Sequence, residues 1–150
     1  MIRTEKRMRL CTALLVCNLV FIWGNSLLPG EVSGRISDWV KDVLSLFFSQ
    51  TGEENPQGGF LLRKLAHFTE FAALGMVLSW LFGMLRRKRY YPALCGIAAA
   101  CIDETIQMFV PNRGPGIRDV LIDSCGVAAG MLLLHLGHTW IIRKKKCSEE

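Results

Sequence analysis

The sequence contains no glycine-rich phosphate loop, no Gly-x-Ser-x-Gly elbow and no His-Glu-x-x-His pair. Those absences remove the usual signatures of P-loop enzymes, α/β-hydrolases and zinc peptidases. The lysine/arginine and histidine signatures of membrane lipid phosphatases are missing as well. Six cysteines are present but no Cys-x-x-Cys, so neither a zinc ribbon nor a redox dithiol is supported. Cys11, Cys17, Cys95, Cys101 and Cys125 lie inside apolar runs and Cys147 in a basic tail, positions that suit packing better than a disulfide framework. Only five prolines occur in 150 residues, which argues against a low-complexity chain. Residues 10–28 carry no Asp, Glu, Lys, Arg or His at all.

What is present is apolar. Hydrophobic residues make up 51% of the chain and the mean hydropathy is +0.28. The hydrophobes are grouped in runs of roughly 20 residues, the length that crosses a bilayer as a helix. Disorder, coiled coil and a small secreted disulfide fold are excluded, and the length predicts a single domain over 1–150. The fold class expected is all-α, a polytopic membrane protein with four transmembrane helices over about 10–28, 60–85, 91–110 and 120–142. The first run is longer than a signal-peptide core and ends in a poor cleavage context, Leu27-Leu28-Pro29-Gly30, so it reads as a retained anchor. Within it, Asn18 and Asn25 are candidate interhelical hydrogen-bonding groups.

Basic residues set the orientation. Arg3, Lys6, Arg7 and Arg9 precede the first span, Arg86–Arg89 follow the second, and Arg143–Lys146 follow the last. Four spans place all three clusters on one side, predicted to be the cytoplasm, with both termini there. A missed or extra helix would split them. The high pI is therefore a topology signal and not evidence for nucleic-acid binding. Between the first two spans, Val32, Ile36, Trp39, Val40, Val43, Leu44 and Phe47 recur at helical spacing opposite Arg35, Asp38, Lys41 and Asp42. That pattern predicts an extracytoplasmic amphipathic helix, either flat on the outer leaflet or capping the bundle mouth. Gln50–Gly59 reads as a flexible link.

The informative residues are the charged ones inside the spans. An Asp, Lys or Arg at mid-helix costs about 2.5–3.5 kcal/mol on the insertion scale. This chain nevertheless has His67 and Glu70 in the second span, Asp103 and Glu104 in the third, and Asp123 in the fourth. Counted from the helix ends, all lie at a similar level in the outer half of the membrane. Arg63, His67 and Glu70 share a face by i, i+4, i+7 spacing, Gln107 follows Asp103 and Glu104, and Asp119, Asp123, Gly126 and Gly130 form one stripe. Gly96, Ala100 and Glu104 form another, and Gly75, Ser79 and Gly83 mark a further close-packed face. Arg63, Lys64, Arg113 and Arg118 ring the mouth, where guanidinium forks suit phosphate or carboxylate oxygens.

Three explanations compete. Pairs such as Arg63–Glu70, Arg118–Asp123 or His67–Glu104 could hold helices together without further role. A metal could be bound by His67, Glu70, Glu104 and Asp123. It lacks a second nearby histidine, because His135 and His138 fall near the opposite end, so no metal and no cofactor are predicted. In the third, His67 and Glu70 are an acid/base pair, Glu104 and Asp123 positioning carboxylates, and Arg63, Lys64, Asp103, Gln107, Arg113, Arg118 and Asp119 hold an anionic ligand.

Two blocks of sequence then resemble a known family. Arg63-Lys64-Leu65-Ala66-His67-Phe68-Thr69-Glu70-Phe71 with Leu74-Gly75 is similar to the second-span motif of VanZ-like proteins. Asp103-Glu104, Gln107, Val110-Pro111, Arg113, Asp119-Val120, Ile122-Asp123 and Gly126 resemble its downstream signature. Ile106 stands where the family often has His, which removes a further metal donor, and Asn112 stands where Gly is usual. Asn tolerates left-handed backbone geometry. The family is named for a protein associated with low-level teicoplanin resistance, and its members are small bacterial membrane proteins. The resemblance implies a multi-pass protein of the bacterial cytoplasmic membrane, and implies no particular reaction. The combined expectation is an outward-facing pocket that binds or acts on an anionic envelope lipid, a lipid-linked wall precursor or the glycopeptide. Enzymatic activity is left open, with a proton-coupled carrier or a non-catalytic scaffold as the alternatives.

Overall fold

The structure, a computed structural model, describes residues 2–48, 58–114 and 116–146. They form five α-helices: α1 Ile2–Ser26, α2 Gly30–Phe48, α3 Gly58–Met84, α4 Tyr91–Gln107 and α5 Ile117–Lys146. No strand occurs among the described residues. The expected link over 50–59 and the terminal Cys147 lie largely outside them. Three helices are long and apolar enough to cross a membrane, Thr4–Ser26, Leu61–Met84 and Ile117–Lys144. The remaining expected span, the third at about 91–110, is shorter: α4 has 17 residues, about 25 Å at a rise of 1.5 Å per residue. Residues 108–110 leave the helix in successive tight turns, with Phe109 N–H bonded to the Ile106 carbonyl and Val110 N–H to that of Gln107.

The helix ends follow from local chemistry. Pro29 disfavours helical geometry at Leu28, ending α1, and its carbonyl accepts the Ser33 N–H to start α2. α3 closes with Arg86 at φ 50, the Arg86 N–H bonded to Gly83 and the Arg87 N–H to Phe82. That is a Schellman cap with arginine in the position glycine favours. Pro92 sits in the first turn of α4, where its missing N–H does no harm. Beyond α4, Arg113 N–H reaches the Val110 carbonyl across Pro111 and Asn112, and Asn112 has φ 59. Proline followed by a left-handed residue is the pattern of a type II turn, so Asn112 fills the glycine role as expected.

α3 and α5 run parallel and share the most extensive interface. Gly126 lies against the Phe68 carbonyl and Gly130 against that of Ala72, while Gly75 of α3 meets the Val127 backbone. A Cβ at any of the three would collide with backbone. In lipid, where apolar burial drives helices together only weakly, such close approach supplies the packing energy. α4 joins through Gly96 against the Val127 side chain. α1 runs antiparallel to α3, with Cys11 Sγ near the Val77 carbonyl at 3.6 Å and Asn25 bonded to Glu70 at 2.9 Å. Ile22, Phe71, Leu74, Leu78, Ala99, Ala100 and Val127 fill the centre.

One detail differs from the sequence reading, and another bears on two alternatives it leaves open. Gly83 has open space around it, so the α3 face expected at Gly75, Ser79 and Gly83 closes only at Gly75. The amphipathic α2 forms, but Val32, Ile36 and Trp39 are exposed, so it does not turn those side chains onto the bundle. Its start is tied to the α4–α5 turn by Gly30 N–H to the Pro111 carbonyl at 3.2 Å and Asn112 Nδ2 to Glu31 at 2.9 Å.

Candidate functional site

Helical spacing does most of the assembly. On α3, Arg63, His67 and Glu70 project from one side, on α4 Asp103, Glu104 and Gln107, and on α5 Asp119 and Asp123. The helix directions bring the N-terminal part of α3, the C-terminal part of α4 and the start of α5 to one end of the bundle. The C-terminus of α1 joins them there. Asp103 is fully buried and Asp123 is 2% exposed, while Glu104, Gln107 and Arg113 are also buried. His67, Glu70, Arg63, Lys64 and Asp119 are half-buried, and Arg118 is exposed.

Several of these polar groups have identifiable partners. Gln107 Nε2 donates to Asp103 Oδ2 at 2.8 Å and approaches Ser26 Oγ at 3.4 Å. His67 Nδ1 lies 3.9 Å from the same Asp103 oxygen, too long for a hydrogen bond but within ion-pair range. Lys64 forms an ion pair with Asp119, and the Gly116 N–H donates to Glu104 Oε1. Arg113 Nη2 donates to the Asn25 carbonyl at 3.1 Å. Among the described residues none of the three pairings weighed from sequence forms, neither Arg63–Glu70, Arg118–Asp123 nor His67–Glu104. Lys64 and Arg113 make connections of their own, and Arg118 points to the exterior.

The histidine has a different carboxylate partner from the one expected. Glu70 turns toward α1, where Asn25 Nδ2 holds its Oε1. His67 faces α4 and α5 instead, and donor atoms of His67, Asp103 and Asp123 all lie within 4.8 Å of one another. Glu104 fastens the α4–α5 turn through Gly116. Ser26 is a fully buried member that sequence reasoning missed. Its signal was available in the Asn25-Ser26 pair, two polar residues closing an apolar run. Asn25 was recognised as an interhelical donor and is one; Asn18 Oδ1 is buried without a hydrogen-bond partner.

A small cavity of about 10 Å3 opens among Arg63, Lys64, His67, Gln107, Asp119, Ile122 and Asp123. That is room for about one water molecule or ion, and far too little for a lipid headgroup. Several buried atoms around this end have no hydrogen-bond partner: His67 Nδ1, Asp103 Oδ1, Asp123 Oδ1, Glu70 Oε2, Glu104 Oε2, and Arg113 Nε and Nη1. A buried unsatisfied polar group destabilises by about 1–3 kcal/mol, so this end of the bundle holds more polarity than packing requires. Burial first, then the neighbouring Arg63, holds the Arg113 pKa below its ordinary value, and a guanidinium stays cationic under such a shift.

The sequence model of the VanZ/LLP1 family matches residues 11–139. No curated protein and no solved structure matches significantly.

Proposed function

Because the chain belongs to the VanZ/LLP1 family, we propose that it is a four-pass protein of the bacterial cytoplasmic membrane whose polar end binds an anionic envelope molecule. Both termini lie in the cytoplasm, α4 is the short third crossing, and α2 lies on the outer leaflet with Val32, Ile36 and Trp39 toward lipid. The ligand is the phosphate-bearing headgroup of a phospholipid or a lipid-linked wall precursor, and its occupancy alters susceptibility to teicoplanin. Anchoring at the rim suits the dimensions, since the inner cavity is too small for a headgroup.

The observation that carries this reading is Arg113. It is 8% exposed, one Nη is held by the Asn25 carbonyl, and its Nε and other Nη have no hydrogen-bond partner. Both donors are buried and sit on different edges of the fixed guanidinium, so they offer an anion's oxygens two separate charge-assisted N–H bonds, reached once the ligand enters beside the α4–α5 turn. Arg63 and Arg118 supply further positive charge at the same end, while Asp119 is neutralised by Lys64. In the catalytic version of the proposal, His67 acts as acid/base beside Asp103 and Asp123, and Glu104 positions the α4–α5 turn.

The experiment is direct. Full-length protein is extracted from vesicles of mixed phosphatidylglycerol and phosphatidylcholine, and the retained lipid is identified by mass spectrometry. Wild type is expected to retain the anionic lipid, and Arg113→Gln to lose about tenfold or more, the size of a charge-assisted hydrogen bond. Equal retention of both lipids would sink the proposal. For the orientation, Asn112→Cys in a cysteine-free chain should label from outside intact cells. Labelling only after permeabilisation reverses it.

The scaffold reading has its own support in the Lys64–Asp119, Asn25–Glu70 and Glu104–Gly116 ties between segments. It fails if His67→Ala abolishes the resistance phenotype in a protein that still folds and expresses. A proton-coupled carrier finds less support, because such carriers commonly break their helices at the binding site, and α1, α3 and α5 are continuous.

A further inference from the structure

We propose that His67, Asp103 and Asp123 form a divalent metal site of the Zn2+ or Mn2+ class. The three come from three different helices, and one donor atom of each lies within 4.8 Å of the other two. Donors bound to a common ion at about 2.0–2.2 Å stand roughly 3–4.5 Å apart, so the group needs only small side-chain adjustments to close.

Clustering of acidic groups alone would say little. The independent observation is the state of the individual atoms. Asp123 is 2% exposed, its Oδ1 has no hydrogen-bond partner, and it borders the small cavity that His67 also borders. Asp103 is fully buried, and its Oδ1 is likewise without a partner. Its other oxygen is held by the Gln107 amide at 2.8 Å, and Gln107 in turn reaches Ser26. A carboxylate fixed by an amide on one oxygen and open on the other is what an outer-shell hydrogen bond does for a metal ligand. His67 Nδ1 also lacks a hydrogen-bond partner and lies 3.9 Å from the Asp103 oxygen that Gln107 holds. The cavity, about 10 Å3, is bordered by His67 and Asp123 but not by Asp103, and has room for one ion.

Charge favours the same occupant. When both are ionised, Asp103 and Asp123 place two negative charges in a buried setting beside Arg113, whose bond to the Asn25 carbonyl leaves its own charge in place, while Asp119 is met by Lys64. A divalent cation neutralises both carboxylates at once. One imidazole with two carboxylates is too nitrogen-rich for Mg2+ or Ca2+ and suits Zn2+ or Mn2+, with open positions left for water or a ligand oxygen. The sequence alone argued against a metal because no second histidine is near His67. Carboxylates arriving from α4 and α5 make a second histidine unnecessary.

The ion does not depend on the headgroup reading, and the two can fail separately. Full-length protein in detergent, without added lipid, is stripped with chelator, dialysed against low-micromolar Zn2+ or Mn2+, and assayed by elemental mass spectrometry. Wild type is expected to keep one ion per chain and to melt at a higher temperature with metal than without. Asp123→Asn, Asp103→Asn and His67→Gln should each lower retention about tenfold or more, whereas Asp38→Asn on exposed α2 should not. Should Asp123→Asn fail to fold, His67→Gln and the metal-dependent melting of wild type decide the matter. A wild type that retains no metal and shows no melting shift overturns the proposal, as does full retention by a folded Asp123→Asn.

Discussion

The α3–α5 seam and the polar end of the bundle lie on the same helices but are built on opposite terms. Along the seam, Gly126 and Gly130 press against the carbonyls of Phe68 and Ala72, and backbone meets backbone. One to two turns away, Asp103, Asp123, His67 and Arg113 are buried with atoms that lack hydrogen bonds. The seam gains from every contact it makes. The polar end retains groups that folding alone would discard, and in a membrane such groups mark function more often than structure. The comparison implies that substitutions at the seam act on stability first, and substitutions at the polar end on function first.

The seam should show the largest effect. In Gly130→Leu the new side chain meets the Ala72 carbonyl, and neither helix can yield because Gly75 is already against the Val127 backbone. We expect a loss of about 3 kcal/mol or more, the upper range for overpacking, read as a collapsed yield of folded protein in detergent. A Gly130→Leu protein that melts like wild type would mean that α3 and α5 are not held together in this way.

The polar end should respond with the opposite sign. Asp123→Leu replaces a buried carboxyl that has an unpaired oxygen by an apolar group of similar size. In metal-stripped protein this should raise stability by about 1–2 kcal/mol while abolishing metal retention. Thermal melting in chelator separates the outcomes, and destabilisation comparable to that of Gly130→Leu would return Asp123 to a structural role.

Much of this contrast was legible in the residues. Long apolar runs marked α1, α3 and α5 as membrane-length helices, and α4 as a fourth that forms with only 17 residues, and spacing of 3.6 placed Arg63, His67 and Glu70 on one face of α3. Counting residues from helix ends gives depth, which is why His67, Asp103 and Asp123 could be assigned to one level. What counting does not give is the rotation of one helix against another. That rotation decided that His67 meets Asp103 while Glu70 meets Asn25, and that Gly75 is packed while Gly83 is open. The metal-like grouping is only half legible for the same reason: the set weighed from sequence shares His67 and Asp123 with it but has Glu70 and Glu104 where the structure brings Asp103.

The smallest expected effect concerns two left-handed residues at opposite ends of the bundle. Asn112 has φ 59 in the α4–α5 turn and Arg86 has φ 50 at the end of α3. Asparagine is suited to that conformation and here also bonds Glu31, so Asn112 combines turn geometry with a tie to α2. Arginine has no such excuse and forgoes about 1 kcal/mol relative to glycine. Its retention makes sense if its charge matters more than the strain, as one of the four basic residues that hold the 86–89 segment on its side of the membrane. Arg86→Gly should therefore raise the melting temperature slightly, by about 1 kcal/mol of stability, while increasing the fraction of misoriented chains detected by labelling at Asn112→Cys. A rise in stability with no change in orientation would show that the remaining three basic residues suffice, and that the left-handed arginine is simply tolerated.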